Sequence, residues 1–144
     1  MLKLARGDIF DADVDIRVNT VNCVGAMGAG LALAFKTRYP EMFREYKKAC
    51  KDGQVQPGRM HVWRQGSGPW IVNFPTKRHW REPSRYEDIE AGLGALRRYL
   101  QEQGHVSVAM PAVGCGLGAH LLIFGRVKKT LGSITWKWIQ IFRN

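Results

Sequence analysis

Cysteine is scarce in this sequence: Cys23, Cys50 and Cys115 are the only three. They form no CxxC pair and join no histidine cluster, which excludes the common zinc and dithiol motifs. An odd, sparse set fits a reducing compartment. Acidic residues are also few, 12 Asp and Glu against 22 Lys and Arg, leaving a formal charge of +10. Such an excess favours polyanionic partners through steering and counterion release. No apolar run is long enough to span a bilayer, and Met1 to Arg6 lacks the apolar stretch and cleavage site of a secretory leader. The expectation is a cytoplasmic protein with no membrane segment.

The 144 residues suit one domain, spanning 1–144. A chain of this size buries roughly 68–70% of the surface its unfolded form exposes. Hydrophobic residues at 45% and charged residues at 24% are ordinary for a globular domain.

Strand and helix patterns alternate along the chain. Leu2 to Ala5 and the alternating stretch Asp15 to Val21 read as strands, and Gly7-Asp8-Ile9-Phe10 breaks the first of them. Leu31 to Lys36 opens a helix, Pro40 ends it or starts the next, and Glu41 to Cys50 continues as helix with Met42, Phe43 and Tyr46 on its apolar side. Arg59 to Arg64 and Trp70 to Phe74 form two further strand patterns around Gly66-Ser67-Gly68-Pro69. Ser84 and Glu87 have capping-box spacing, ahead of Ile89, Leu93, Leu96 and Leu100 at helical spacing, with Gly104 as the stop. Val106 to Met110 reads as a buried strand, followed by a helix near Leu121 to Leu131 and a strand near Trp136 to Phe142. The class is α/β, with a mixed, mostly parallel central sheet flanked by helices.

Two glycine turns fall where a strand gives way to a helix: Gly25-Ala26-Met27-Gly28-Ala29-Gly30 and Gly114-Cys115-Gly116-Leu117-Gly118. Ligands of such sheets sit at the carboxyl ends of the strands. Glycine lets a ligand approach the main chain, and free N–H groups at a helix N-terminus attract phosphate. Two such turns could hold a diphosphate between them. The first is not a P-loop, because Leu31-Ala32 follows Gly30 where Lys-Ser/Thr is required. The first is not a Rossmann fingerprint either, because Leu33 stands at the third glycine position.

Gly7-Asp8-Ile9, the run from Val18 to Ala32, and Pro111-Ala112-Val113-Gly114-Cys115-Gly116-Leu117 together resemble a macrodomain. The likeness is strongest to the branch containing terminal ADP-ribose glycohydrolase and the DarG antitoxins. Asn73 to Arg81 resembles the DarG type in particular, and Gly118 stands where the terminal type has aspartate. The resemblance implies that Asp8 hydrogen-bonds the adenine amine and that Ile9 lies against the ring. Asn22 would approach the distal ribose. Gly25, Met27, Gly28, Ala29, Gly30 and Leu31 would hold the diphosphate and that ribose, with Met27 packing the loop. Thr76 would border the same ligand, and Val113, Gly114, Cys115, Gly116, Leu117 and Gly118 would close over it.

Lys77 matches the family's catalytic lysine. The implied activity is that of a DNA ADP-ribosyl glycohydrolase, removing ADP-ribose from thymidine in single-stranded DNA as antitoxin to a DarT-type toxin. The alternative is a non-catalytic ADP-ribose reader. Neither needs a metal or a cofactor, and a monomer is expected.

The residue chemistry accommodates the first reading. Breaking an N-glycosidic bond builds oxocarbenium character on the sugar and negative charge on the leaving base. The usual pair of carboxylates is not evident near these loops. As an ammonium, Lys77 can orient the ribose or stabilise the leaving base. As a neutral amine it can attack an opened sugar. Arg78, His79, Trp80 and Arg81 interleave cations with aromatic planes, a pattern suited to DNA. Cys115 lacks a partnering histidine, and His61, His105 and His120 are scattered.

Overall fold

In the computed structural model, residues 2–104, 106–111, 113, 129 and 136–140 are described. The strands are β1 (Leu2–Arg6), β2 (Ile16–Val21), β3 (His61–Trp63), β4 (Trp70–Pro75), β5 (Val108–Pro111) and β6 (Trp136–Gln140). The helices are α1 (Gly30–Arg38), α2 (Pro40–Lys51) and α3 (Tyr86–Gln103), with a 3₁₀ turn at Ile9–Asp11. One sheet has the order β1-β6-β5-β2-β4-β3. Every pairing is parallel except that of β3 with β4. This is the mixed, mostly parallel α/β sheet expected.

Central strands in such a sheet are covered on both faces, so they carry apolar side chains on both. On one face Ile16, Val18, Val72, Phe74, Val108 and Met110 pack against Ile89, Leu93, Leu96 and Leu100 of α3. On the other, Val21, Ile71 and Ala109 meet Phe35 of α1 and Met42 and Tyr46 of α2. Two other β2 side chains on that second face are polar and buried, Arg17 and Asn19. Arg17 donates to the carbonyls of Phe10 (2.6 Å) and Ala12 (3.2 Å) and to the Tyr39 hydroxyl (2.8 Å). It thereby fastens the 3₁₀ turn after β1 to β2.

Asn19 stands opposite Asn73 in the β2–β4 register, and Asn73 stands opposite His61 in β3. Asn19 Nδ2 donates to Asn73 Oδ1 at 3.1 Å, and Asn73 Nδ2 lies 3.0 Å from His61 Nδ1. Burial lowers the His61 pKa. A neutral ring can accept at Nδ1, so three side chains form one polar rung across three strands. Buried amides are costly unless paired, so this register is strongly preferred.

Some boundaries differ from the sequence patterns. Asp15 precedes β2 because its backbone and carboxylate are engaged by Ser107: Oδ2 accepts from Ser107 N (2.7 Å) and Oγ (3.0 Å). The same clasp delays β5 to Val108. Of the two roles open to Pro40, the structure has the second: it starts α2. Ser84 and Glu87 do not form a capping box: Arg85 caps α3, without a side-chain hydrogen bond. The second glycine turn and the helix near Leu121 to Leu131 lie outside the described residues, Lys129 excepted.

At Gly92 of α3, an added Cβ would fall 2.4 Å from Cζ of Phe74, which is fully buried. The ring has no room to retreat. Gly92→Ala should therefore cost about 1–3 kcal/mol through overpacking, against a helix-propensity gain of up to about 1 kcal/mol. Urea unfolding should register a net loss of stability.

Candidate functional site

β1, β2, β4, β5 and β6 run in the same direction, so the segments leaving β1, β2, β4 and β5 emerge along one end of the sheet. They carry Asp8, the first glycine turn, Lys77 and Val113 respectively. The topology thus brings together the positions separated most widely in the sequence.

Asp8 is exposed and caps the 3₁₀ turn, its Oδ1 accepting from Phe10 N at 2.9 Å. Ile9 is wholly buried in the cluster of α1 and α2 and is not presented to solvent.

Asn22 organises the glycine turn from beneath. Its Oδ1 accepts from the N–H groups of Val24 (3.1 Å) and Ala26 (3.3 Å), and its Nδ2 donates to Ala26 O (2.8 Å). The Tyr46 hydroxyl donates to the Asn22 carbonyl at 2.7 Å. Gly25 has φ +80°, and a Cβ there would meet Lys47 Cγ at 3.3 Å and Cys50 Cβ at 3.7 Å. Only glycine combines that conformation with that fit. Met27 is buried, as a loop-packing residue should be, with Asn19 Nδ2 3.8 Å from its sulfur.

Gly28, Ala29 and Gly30 are exposed, and Leu31 is partly buried. Ala29 is the N-cap of α1, offers no side-chain hydrogen bond, and no acidic residue stands in the first turn. The first amide groups of α1 therefore face outward with an uncompensated positive helix end, an arrangement suited to phosphate.

The segment after β4 is fastened to the end of β2. Thr76, which is buried, donates its N–H to Val21 O at 2.9 Å, and Cys23 N–H donates to Arg78 O at 3.2 Å. The Cys23 thiol donates to Lys77 O at 3.5 Å. Burial pushes that thiol's pKa up to about 11, so it stays protonated and can donate. Lys77 itself is partly buried.

Arg78 is gripped by Asp88 in the first turn of α3, Nε to Oδ2 at 2.9 Å and Nη2 to Oδ1 at 3.0 Å. Beyond it Trp80 is 52% exposed. His79 stacks on its ring with centroids 5.2 Å apart, and the Arg81 guanidinium lies 4.5 Å from the ring centroid. Gly114, Cys115, Gly116, Leu117 and Gly118 lie outside the described residues, while Val113 is buried.

Asp88, Tyr46 and the Cys23 thiol escape sequence reasoning. Tyr46 has the spacing of a core residue, and nothing in the pattern marks where its hydroxyl goes. Asp88 sits ten positions from Arg78 with no motif linking them. Among the described residues no group of three or more His, Cys, Asp or Glu could hold a metal ion, and no helix is long and apolar enough to cross a membrane.

Residues 18–120 match the macro domain family, and the chain belongs to it. Within that family it is similar to macrodomains of DarG. It is 41% identical to the macrodomain of Thermus aquaticus DarG, with a TM-score of 0.88 and coverage of 100% of this chain and 99% of that one. It is 53% identical over 121 residues to a DNA ADP-ribosyl glycohydrolase of Mycobacterium tuberculosis, covering 82% of this chain and 34% of the relative. A structure of Thermosipho africanus DarTG in complex with ADP-ribose is similar at TM-score 0.82 and 29% identity, covering 96% of this chain and 41% of that one. The chain thus spans about a third of the length of the curated relatives it matches.

The Arg78 hydrogen bond holds the Asp88 carboxyl below the usual carboxylate range. A depressed folded pKa contributes stability that is fully present above the unfolded carboxylate pKa and is lost as pH falls through the folded value. Asp88→Asn should therefore lower Tm at neutral pH and flatten the acid limb of the Tm profile. An unchanged acid limb would mean that the clamp does not couple to folding.

Proposed function

We propose that this macrodomain removes ADP-ribose from thymidine bases in single-stranded DNA, as the antitoxin counterpart of a DarT-type DNA ADP-ribosyltransferase. The observation that carries this reading is the fastening of Thr76, Lys77 and Arg78 to the end of β2, beside the glycine turn. The names of the DarG-type relatives support the substrate class.

In this reading Asp8 receives the adenine amine, and the outward amides of Gly30, Leu31 and Ala32 take the diphosphate. Asn22 keeps the turn in shape beside the distal ribose. Thr76 borders the ligand, and Val113 to Gly118 close the other side. As the sugar–base bond breaks, its electron pair goes to the base nitrogen. Water adds to the sugar carbon, and its proton ends on the base. In this reading Lys77, as an ammonium, stabilises the negative charge developing on the base. The exposed rings of Trp80 and His79, with Arg81, are suited to hold bases next to the modified thymidine. Arg78, held by Asp88, would meet DNA with its exposed side. The setting is a cytoplasmic monomer acting on nucleic acid.

Lys77→Ala should retain ADP-ribose binding, since the adenine and diphosphate contacts lie on other residues. It should slow hydrolysis of ADP-ribosyl-thymidine DNA by about 10²–10³. Mass analysis of the released products checks this, and wild-type rates in the variant would remove Lys77 from the chemistry. Asp8→Ala should weaken ADP-ribose binding by about 1.5–3 kcal/mol in calorimetry. A folded wild type that binds modified DNA but never releases ADP-ribose would be a reader and not a hydrolase.

A further inference from the structure

The C-terminal half of α2 supports the glycine turn, and its outer face has a composition that this support does not explain. Arg44, Lys47, Lys48 and Lys51 are all exposed and stand at i, i+3, i+4 and i+7. At about 100° per residue this spacing puts all four on one stripe, opposite the buried Met42 and Tyr46. The stripe is about 10.5 Å long at about 1.5 Å per residue.

Basic residues in a last turn complement the helix dipole. That accounts for Lys48 and Lys51 but not for Arg44 and Lys47. Arg44 approaches Glu41 at 3.6 Å, with both side chains largely in water, a pairing of little strength. Among the described residues, no carboxylate forms an ion pair with Lys47, Lys48 or Lys51. The stripe also touches the site directly, because the stem of Lys47 packs against Gly25 of the turn. Four cations without strong partners therefore lead up to the proposed diphosphate cradle.

We infer that this face of α2 is a track for the phosphate backbone of single-stranded nucleic acid, leading the strand to the glycine turn. The inference rests on the proposed DNA substrate and adds a binding surface on the α2 side of the turn. Its partner chemistry is a run of phosphates read by charge, without base contacts. Glutamine replacements keep the stems and remove the charges.

The test compares four proteins: wild type, a variant combining Arg44→Gln, Lys47→Gln, Lys48→Gln and Lys51→Gln, a control combining Arg97→Gln and Arg98→Gln on the exposed side of α3, and a double variant of the stripe. A Lys47→Gln, Lys48→Gln double variant matches the control in charge. Binding to an oligonucleotide carrying ADP-ribosyl-thymidine and to free ADP-ribose is measured across a salt series.

The fourfold variant should bind the oligonucleotide about tenfold more weakly at low salt. Its salt slope should fall by about 0.7 for each phosphate that is no longer neutralised. Its affinity for free ADP-ribose should not change. The Lys47, Lys48 double variant should lose more than the Arg97, Arg98 control. An unchanged oligonucleotide slope overturns the track, as does an equal loss in the control. An equal loss toward free ADP-ribose would mean that the lysines act only through the turn, and that also overturns it. Loss of binding to a DarT-type toxin with an unchanged oligonucleotide slope would make the stripe a protein surface instead. Failure of the wild type to bind free ADP-ribose or to cleave the modified oligonucleotide would instead remove the reading on which the track rests.

Discussion

Asn19 and Asn73 face each other across β2 and β4, buried, and the next member of their row is His61 on β3. A slip of one residue between β2 and β4 would shift the pairing by about 3.3 Å. It would also turn the slipped strand's side chains to the opposite face. The amides would then lose their mutual hydrogen bond inside a low-dielectric core, where an unpaired amide is expensive. What this rung fixes lies three residues beyond Asn19, at Asn22, and four beyond Asn73, at Lys77. β2 ends in the turn that Asn22 organises, and β4 ends in the segment carrying Lys77. The spacing of the two loops is thus set by a contact inside the sheet, away from either loop.

The ladder does not stop where the strands do. The hydrogen bonds of Thr76 with Val21 and of Cys23 with Arg78 carry main-chain pairing beyond the sheet. The Cys23 thiol adds a side-chain bond to Lys77 O, and Asp88 holds Arg78 from α3. Lys77 is consequently mounted on backbone tied on one side to β2 and on the other to a helix. Placement of this kind suits a residue that must meet charge as it develops, since no reorganisation is needed at that moment.

Much of this architecture was legible in the sequence. The apolar row Ile89, Leu93, Leu96 and Leu100 shows directly which face of α3 is buried, because a periodic pattern records a periodic contact. The first glycine turn and the resemblance around it pointed to the end of the sheet where Asp8, Asn22 and Lys77 come together. Links between distant residues were not legible. Asn19, Asn73 and His61 have no shared spacing, and their row exists only once β2, β3 and β4 are aligned. The capping-box spacing at Ser84 and Glu87 misled because a local motif competes with longer-range ties. With Arg78 drawing Asp88 toward the site, α3 begins at Tyr86 with Arg85 as its cap. Ile9 resembles a residue laid against an adenine ring, yet its side chain belongs to the core.

The last fastening along this segment falls at Arg78, and His79, Trp80 and Arg81 come after it. Among the described residues these three interact with one another and, through the His79 carbonyl, with Glu82. Their identities are therefore released from the constraint that fixes Lys77. Related domains can exchange them without disturbing the fastened backbone that carries Lys77 just upstream. The boundary between what is held and what is free to diverge runs through a single peptide bond.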